Sequence, residues 1–130
     1  MTTTVRWLSG ITMVLVLLQA VLVGQGLYLG EPSRIILHGW IGSVTFVGAI
    51  VLAALVIIGV RRGELNRSAL GLGVVIALLT VAQIGLGYSG RGGGTPAALH
   101  IPNGVLIATL LAALLTISFW PSPGPRQSWP

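Results

Sequence analysis

The chain has two histidines, His38 and His100, and they occupy matching positions in a repeated pattern. Each histidine follows a leucine and precedes a glycine by four residues, which is Gly42 in one copy and Gly104 in the other. Neutral imidazole is a common ligand of metal ions and of haem iron. The pair is therefore the first candidate for a metal or haem site. Whether the two rings can meet depends on the elements that position them.

The composition indicates that these elements are membrane helices. Hydrophobic residues make up 54% of the 130 residues and charged residues only 7%, whereas a soluble domain usually has about 25% charged residues. Each of four apolar runs is long enough to cross a hydrocarbon core, which needs about 20 residues. The runs cover about 7–29, 35–60, 69–86 and 97–120. In lipid the backbone must satisfy its own hydrogen bonds, so we expect four helices.

Short polar connections make consecutive helices antiparallel neighbours, which predicts an all-α up-down bundle over residues 1–120. The tail, 121–130, is rich in proline and serine, and we expect it to be disordered and cytoplasmic. The first apolar run is long for a secretory signal and has no clear small-residue cleavage site after it, so we expect it to remain in the protein.

Arginine distribution predicts the orientation in the membrane. One side would hold the N-terminus, the middle loop, the tail and five arginines; the other side would hold two. The five are Arg6, Arg61, Arg62, Arg67 and Arg126, and the two are Arg34 and Arg91. Positive residues favour the cytoplasmic side. We therefore expect a multi-pass protein of the plasma (cell inner) membrane with both termini in the cytoplasm, in contact with lipid and not with nucleic acid.

The repeat extends beyond the histidines. Gln19-x-x-Leu22 precedes His38 by about one helix, and Gln83-x-x-Leu86 precedes His100 in the same way. This pattern predicts a duplicated helical hairpin whose two copies run parallel about an axis along the membrane normal. The simplest role for the glutamines is hydrogen bonding between helices, and a contribution to a cofactor site is the alternative.

Duplication would bring the two imidazoles to equal depth, facing each other across the bundle. Helices two and four are diagonal, and neighbouring axes about 8–10 Å apart give a diagonal of roughly 11–14 Å. Two imidazoles with a metal between them can fill that gap. The alternative is a pair of structural histidines bonded to each other, to the backbone or to lipid headgroups.

The ligand inventory favours haem over a bare metal ion. The chain has no cysteine, which excludes disulfides, iron–sulfur clusters, thiolate zinc sites and covalent c-type haem. Zinc normally takes three or four protein ligands, and the one carboxylate near the histidines is Glu31. Haem needs only two axial ligands from the protein, so the sequence predicts a bis-histidine b-type haem near the outer face.

Other residues are expected around such a site. Glycines beside the histidines would let a flat macrocycle approach the helices; helix packing alone is the alternative role. Arg34 and Arg91 could pair with haem propionates, or they could be snorkelling side chains. Gln25, Tyr28, Tyr88 and Asn103 are weaker candidates for the same rim. The predicted cofactor-binding residues are His38, His100, Arg34, Gly42, Gly104, Gln19, Gln83 and Arg91, with the two histidines as metal ligands and no catalytic residue.

The chain resembles half of haem A synthase, a family built from two such four-helix bundles in tandem. Gln83-x-x-Leu86-Gly87 followed by Ala97-Ala98-Leu99-His100 is similar to the family's third and fourth helices, and the segment from Gln19 to His38 is similar more loosely. The chain also resembles small four-helix bacterial membrane proteins with no assigned function. The resemblance covers nearly the whole chain and implies haem binding toward the outer face.

The departures from that family concern its chemistry. In the catalytic half of the synthase a glutamate stands three residues before the first histidine and an arginine follows that histidine; here the residues are Ile35 and Gly39. The paired cysteines of an outer loop are also missing. The resemblance therefore implies haem binding without haem A synthesis by this chain alone.

Three functions remain open at this point. The first is a haem b protein for electron transfer or haem holding, within a larger membrane assembly or a homo-oligomer, with quinone or a periplasmic protein as redox partner. The second is a cofactor-free accessory subunit of a respiratory or photosynthetic complex. The third, which the missing glutamate disfavours, is a haem-modifying enzyme working as a homodimer.

Overall fold

The computed structural model of the protein describes residues 1–120, and these residues form four long helices. The helices are α1 (Thr2–Leu29), α2 (Pro32–Arg61), α3 (Arg67–Ser89) and α4 (Gly94–Ile117), with a short 3₁₀ turn, Gly90–Gly92, before α4. All four are long and apolar enough to cross a membrane. The predicted all-α bundle of a multi-pass membrane protein is confirmed, while the predicted tail, 121–130, lies outside the described residues.

The helices begin earlier in the chain than the apolar runs that predicted them. Polar and turn-forming residues start them: Pro32 occupies the first turn of α2, and the Asn66 side chain accepts a hydrogen bond from the backbone N–H of Ser68 at the start of α3. An asparagine at this position satisfies a donor that the helix leaves unpaired. At the other end, α4 stops at Ile117, three residues before the predicted boundary.

Helices that are consecutive in the chain pack against each other, and α4 returns to pack against α1. This arrangement makes α2 and α4 diagonal, as the short connections predicted. The end of the bundle that contains the N-terminus, the α2–α3 loop and the end of α4 is called the core half below. The opposite end, with the α1–α2 and α3–α4 connections, is called the histidine half.

Buried positions repeat along the chain in the register of the sequence pattern. Three of the five buried residues of α1 recur 64 positions later in α3, and four buried residues of α2 recur 62 positions later in or just after α4. The pairs are Val5 and Ala69, Ser9 and Gly73, Thr12 and Ile76, Thr45 and Ile107, Ala49 and Leu111, Leu52 and Leu114, and Val56 and Ser118. The histidines are also 62 positions apart. The repeat thus describes the packing as well as the sequence, as expected for a duplicated hairpin.

The connected apolar core lies in the core half, and among the described residues Leu22 of α1 is the one buried apolar side chain outside it. Leu52, Ile76, Leu111 and Leu114 are fully buried in the core half and pack in one cluster. In the histidine half, none of the residues from 32 to 44 of α2 or from 94 to 106 of α4 is buried. Close packing of apolar side chains therefore stabilises one end of the bundle, because helices in lipid associate through van der Waals contact and interhelical hydrogen bonds. Polar contacts between helices organise the other end.

At the core half, polar contacts of Arg6 and of the N-terminal amine join the first helix to later segments of the chain. Arg6 donates two hydrogen bonds to the backbone carbonyl of Ser118, at 3.0 and 2.7 Å, and its guanidinium lies 4.3 Å from the centre of the Phe119 ring. The N-terminal amine of Met1 pairs with Glu64 at 3.2 Å. These contacts join α1 to the end of α4 and to the α2–α3 loop.

Replacing Arg6 with alanine should lower the free energy of unfolding by about 1–3 kcal/mol, because two charge-assisted hydrogen bonds to one carbonyl are lost. Denaturant unfolding in detergent micelles measures the change. Arg62→Ala is the matched control, since its exposed side chain makes no hydrogen bond or ion pair within residues 1–120. Equal losses for the two variants would contradict the role given to Arg6.

Candidate functional site

The two histidine side chains meet across the diagonal of the bundle. His38 on α2 and His100 on α4 are both half-buried. Their ring centres are 5.9 Å apart, and the ring planes are inclined by 67°. Both imidazoles are therefore directed into the bundle and toward each other.

Each imidazole is held by the backbone of the neighbouring helix. Nδ1 of His38 lies 3.1 Å from the carbonyl oxygen of Gln19, and Nδ1 of His100 lies 3.1 Å from the carbonyl oxygen of Gln83. A carbonyl oxygen only accepts, so both Nδ1 atoms are donors. In the neutral ring the lone pair is then on Nε2. Metal-binding histidines are usually held in this way, with the other ring nitrogen donating to a carbonyl or carboxylate.

The glutamine side chains form the interhelical hydrogen bonds that their positions predicted. Gln19 Nε2 donates to Thr45 Oγ1 at 2.8 Å and to the carbonyl of Leu15 at 3.2 Å, which joins α1 to α2. Gln83 Oε1 accepts from Asn103 Nδ2 at 2.6 Å, which joins α3 to α4. Gln83 Nε2 also lies 3.2 Å from Nε2 of His100.

The glycines of the repeated pattern make room for these amides. A Cβ atom on Gly42 would lie 3.1 Å from Gln19 Oε1, and a Cβ atom on Gly104 would lie 3.1 Å from Gln83 Nε2. Both distances are shorter than an ordinary van der Waals contact. The sequence predicted that these glycines give access to a macrocycle; their contact in the structure is with the glutamine side chains.

The two arginines predicted at the rim are not part of the histidine cluster. Arg34 is paired with Glu31 at 3.0 Å in a half-exposed ion pair at the start of α2. The guanidinium of Arg91 stacks on Tyr88, 4.6 Å from the ring centre. The Arg34 contact lies at the α1–α2 connection and the Arg91 contact lies at the α3–α4 connection.

Sequence reasoning missed Thr45 and assigned a different role to Asn103. Thr45 is seven residues after His38 and Asn103 is three residues after His100, so each shares a helix face with its histidine. This spacing is the sequence signal that indicates a place for Thr45 and Asn103 beside the histidines. Gly87 is also adjacent, because a Cβ atom there would lie 3.1 Å from Cε1 of His100, so the ring packs directly on the backbone of α3.

The distance between the two ring centres is close to what a metal held by two imidazoles requires. Nitrogen–metal bonds of about 2.0–2.1 Å on both sides of one ion give ring centres about 6 Å apart, close to the observed 5.9 Å. Within residues 1–120, no three side chains of histidine, cysteine, aspartate or glutamate come together. A ligand that completes its own coordination sphere, as a porphyrin does, suits this pair better than a bare ion.

Comparisons with known proteins gave no relative for the chain: no protein-family model, no curated protein and no solved structure matched it. The likeness to half of haem A synthase therefore stays a prediction from the sequence. Because one fold can host many functions, the functional argument has to come from the site itself.

Proposed function

We propose that the chain is a membrane b-type haem protein in which His38 and His100 supply the two axial ligands. The observation that supports this most strongly is the meeting of the two rings, with centres 5.9 Å apart and both Nδ1 atoms donating to backbone carbonyls. Two neutral imidazoles that bind through Nε2 are what a six-coordinate haem iron takes from a protein; Nε2 of His100 would exchange its hydrogen bond with Gln83 for the iron.

The residues around the histidines orient the ligands. The carbonyls of Gln19 and Gln83 select the same tautomer in both rings, and their helices continue into the packed core half, which limits rotation of the hairpins. His38 and His100 would hold the haem, which would supply one-electron chemistry at its iron; ligation by both histidines would leave no open position for a substrate. The chain thus transfers electrons or holds haem, and we assign it no catalytic residue.

The rim arginines are the residues that would meet the propionates. Arginine binds carboxylates through paired hydrogen bonds, and Arg34 is one turn before His38 on the same helix. Its ion pair with Glu31 is half-exposed, and such pairs contribute only about 0–1 kcal/mol. Replacing Glu31 by a haem propionate as the partner of Arg34 would therefore cost little free energy.

The arginine distribution favours an orientation with both termini in the cytoplasm of a bacterial-type plasma membrane. The histidine half would then lie toward the outer face. In that position the site would exchange electrons with quinone or with a periplasmic protein, within a larger membrane assembly or a homo-oligomer.

The first test is a reduced-minus-oxidised absorption spectrum of the full chain, purified after expression with a haem supply. The expected result is a sharp low-spin b-type band at a haem-to-protein ratio near one, because six-coordinate iron with two imidazoles is low-spin. A preparation that is folded and monodisperse but lacks this band would contradict the proposal.

A cofactor-free accessory subunit is the second candidate, and one observation favours it. Both ring nitrogens of His100 have hydrogen-bond partners within the protein, Gln83 O and Gln83 Nε2, so this ring is satisfied without a metal. That function requires normal assembly of the host complex when both histidines are replaced, whereas the haem proposal requires loss of the spectrum.

A further inference from the structure

The two halves of the site differ where the repeat is broken. The position of Asn103 in α4 corresponds to Ile41 in α2, and the position of Thr45 in α2 corresponds to Ile107 in α4, each 62 residues apart. Each hairpin therefore has one polar partner for its glutamine, but at a different height along the helix. The two glutamine amides are directed differently as a result.

On the α3–α4 side the hydrogen-bond directions are determined without ambiguity. Asn103 Nδ2 lies 3.0 Å from the carbonyl of Leu79 and 2.6 Å from Gln83 Oε1, so the asparagine donates to both. With its oxygen engaged, Gln83 presents Nε2 to Nε2 of His100 at 3.2 Å. Nε2 of His100 must accept, because Nδ1 of that ring already donates to the carbonyl of Gln83.

On the α1–α2 side the glutamine amide is engaged elsewhere. Gln19 Nε2 donates to Thr45 Oγ1 and to the carbonyl of Leu15, and Thr45 in turn donates to the carbonyl of Ile41 at 2.8 Å. Nε2 of His38 has no hydrogen-bond partner among residues 1–120. The lone pair that would bind a metal is therefore free on His38 and occupied on His100.

We infer that the two imidazoles are unequal ligands: His38 is the standing axial ligand, and His100 is an exchangeable ligand whose Nε2 is contested by the Gln83 amide. This inference rests on the proposed haem function. Release of His100 from the metal is compensated by the hydrogen bond from Gln83, and no such compensation exists for His38. The site therefore has a second property, which is reversible binding of a small external ligand on the His100 side.

The surroundings of His100 specify the class of that ligand. Gln83, Asn103 and Gly87 are uncharged, and a buried anion without a partner is strongly disfavoured. The ligand is expected to be a small neutral molecule, such as a diatomic gas that binds ferrous haem. Carbon monoxide is the probe, since it binds reduced iron and leaves the protein's own protonation unchanged.

The test is a carbon monoxide titration of the reduced, haem-loaded full chain in detergent, with Gln83→Leu, Asn103→Leu and the control Thr109→Ala, which removes an exposed hydroxyl that bonds only within α4. A neutral hydrogen bond contributes enough to change an exchange equilibrium about 2- to 10-fold. Gln83→Leu should weaken carbon monoxide binding by that factor. No amide then competes with the iron for Nε2 of His100, so His100 is harder to displace. Asn103→Leu, which frees the Gln83 amide to turn away, should act in the same direction, and Thr109→Ala should leave the affinity unchanged.

The outcomes separate this inference from the proposed function. Absence of haem from the wild-type chain overturns both. A haem-loaded wild type that binds no carbon monoxide, or equal effects of Gln83→Leu and Thr109→Ala, overturns the unequal-ligand inference and leaves the haem proposal intact. If Gln83→Leu does not accumulate as folded protein, the comparison of Asn103→Leu with Thr109→Ala decides the question.

Discussion

Replacing both histidines together, His38→Ala with His100→Ala, should lower the haem affinity of the chain by more than about 100-fold. Changes to groups that only orient a metal ligand already cost about 10–100-fold, and this variant removes both ligands. Each single variant should retain part of the haem, with a shift of the spectrum from low-spin toward high-spin, because one axial position is then open. Haem titration of the purified proteins measures the affinities, and absorption spectra report the spin state.

Two controls distinguish loss of ligands from loss of fold. Ser43→Ala and Thr109→Ala change exposed hydroxyls on α2 and α4 that bond only to their own helices, and both should bind haem normally. The double histidine variant should keep its helical circular dichroism and its elution volume, since the apolar core lies in the other half. Haem binding that survives in the double variant would refute the assignment of these ligands.

Replacing Gly73 with leucine should cause a large loss of stability, about 1–3 kcal/mol. Gly73 on α3 is buried against α2, and a Cβ atom there would lie 3.2 Å from Cγ1 and 3.3 Å from Cβ of Val56. Valine has a stiff side chain with one preferred rotamer in a helix, so the two helices would have to separate. Overpacking of this kind is destabilising even when the added atoms are apolar.

Gly71→Leu is the matched control, because that glycine is exposed on the same helix and a Cβ atom there would meet nothing within 4 Å. Denaturant unfolding in micelles should separate the two variants, and adding Val56→Ala to Gly73→Leu should recover part of the loss. Equal stability of the two leucine variants would show that the α2–α3 contact is looser than described here.

The number, order and neighbours of the helices follow from the sequence because the lipid restricts the possibilities. A chain with 54% hydrophobic residues must satisfy its backbone within each crossing, and short connections leave α2 and α4 diagonal. The repeat then brings His38 and His100 to the same depth. Even the tautomer of each ring depends on a glutamine that the repeat identified, although its main-chain carbonyl is the acceptor.

The directions of the glutamine amides depend instead on tertiary contacts. Gln19 and Gln83 occupy equivalent positions in the repeat, so the local sequence does not distinguish them. Gln19 turns to Thr45 and Gln83 turns to Asn103 and His100, because an amide adopts the orientation in which partners on the neighbouring helix accept and donate.

The confinement of the core to one half has the same origin. All four helices are apolar over most of their length, so composition alone predicts no difference between the two ends. By itself, therefore, the sequence determined a four-helix membrane bundle with paired histidines. Only side-chain packing between helices decided which end is filled and which imidazole nitrogen is left free, because burial and hydrogen-bond direction are properties of the neighbours that a residue meets in space.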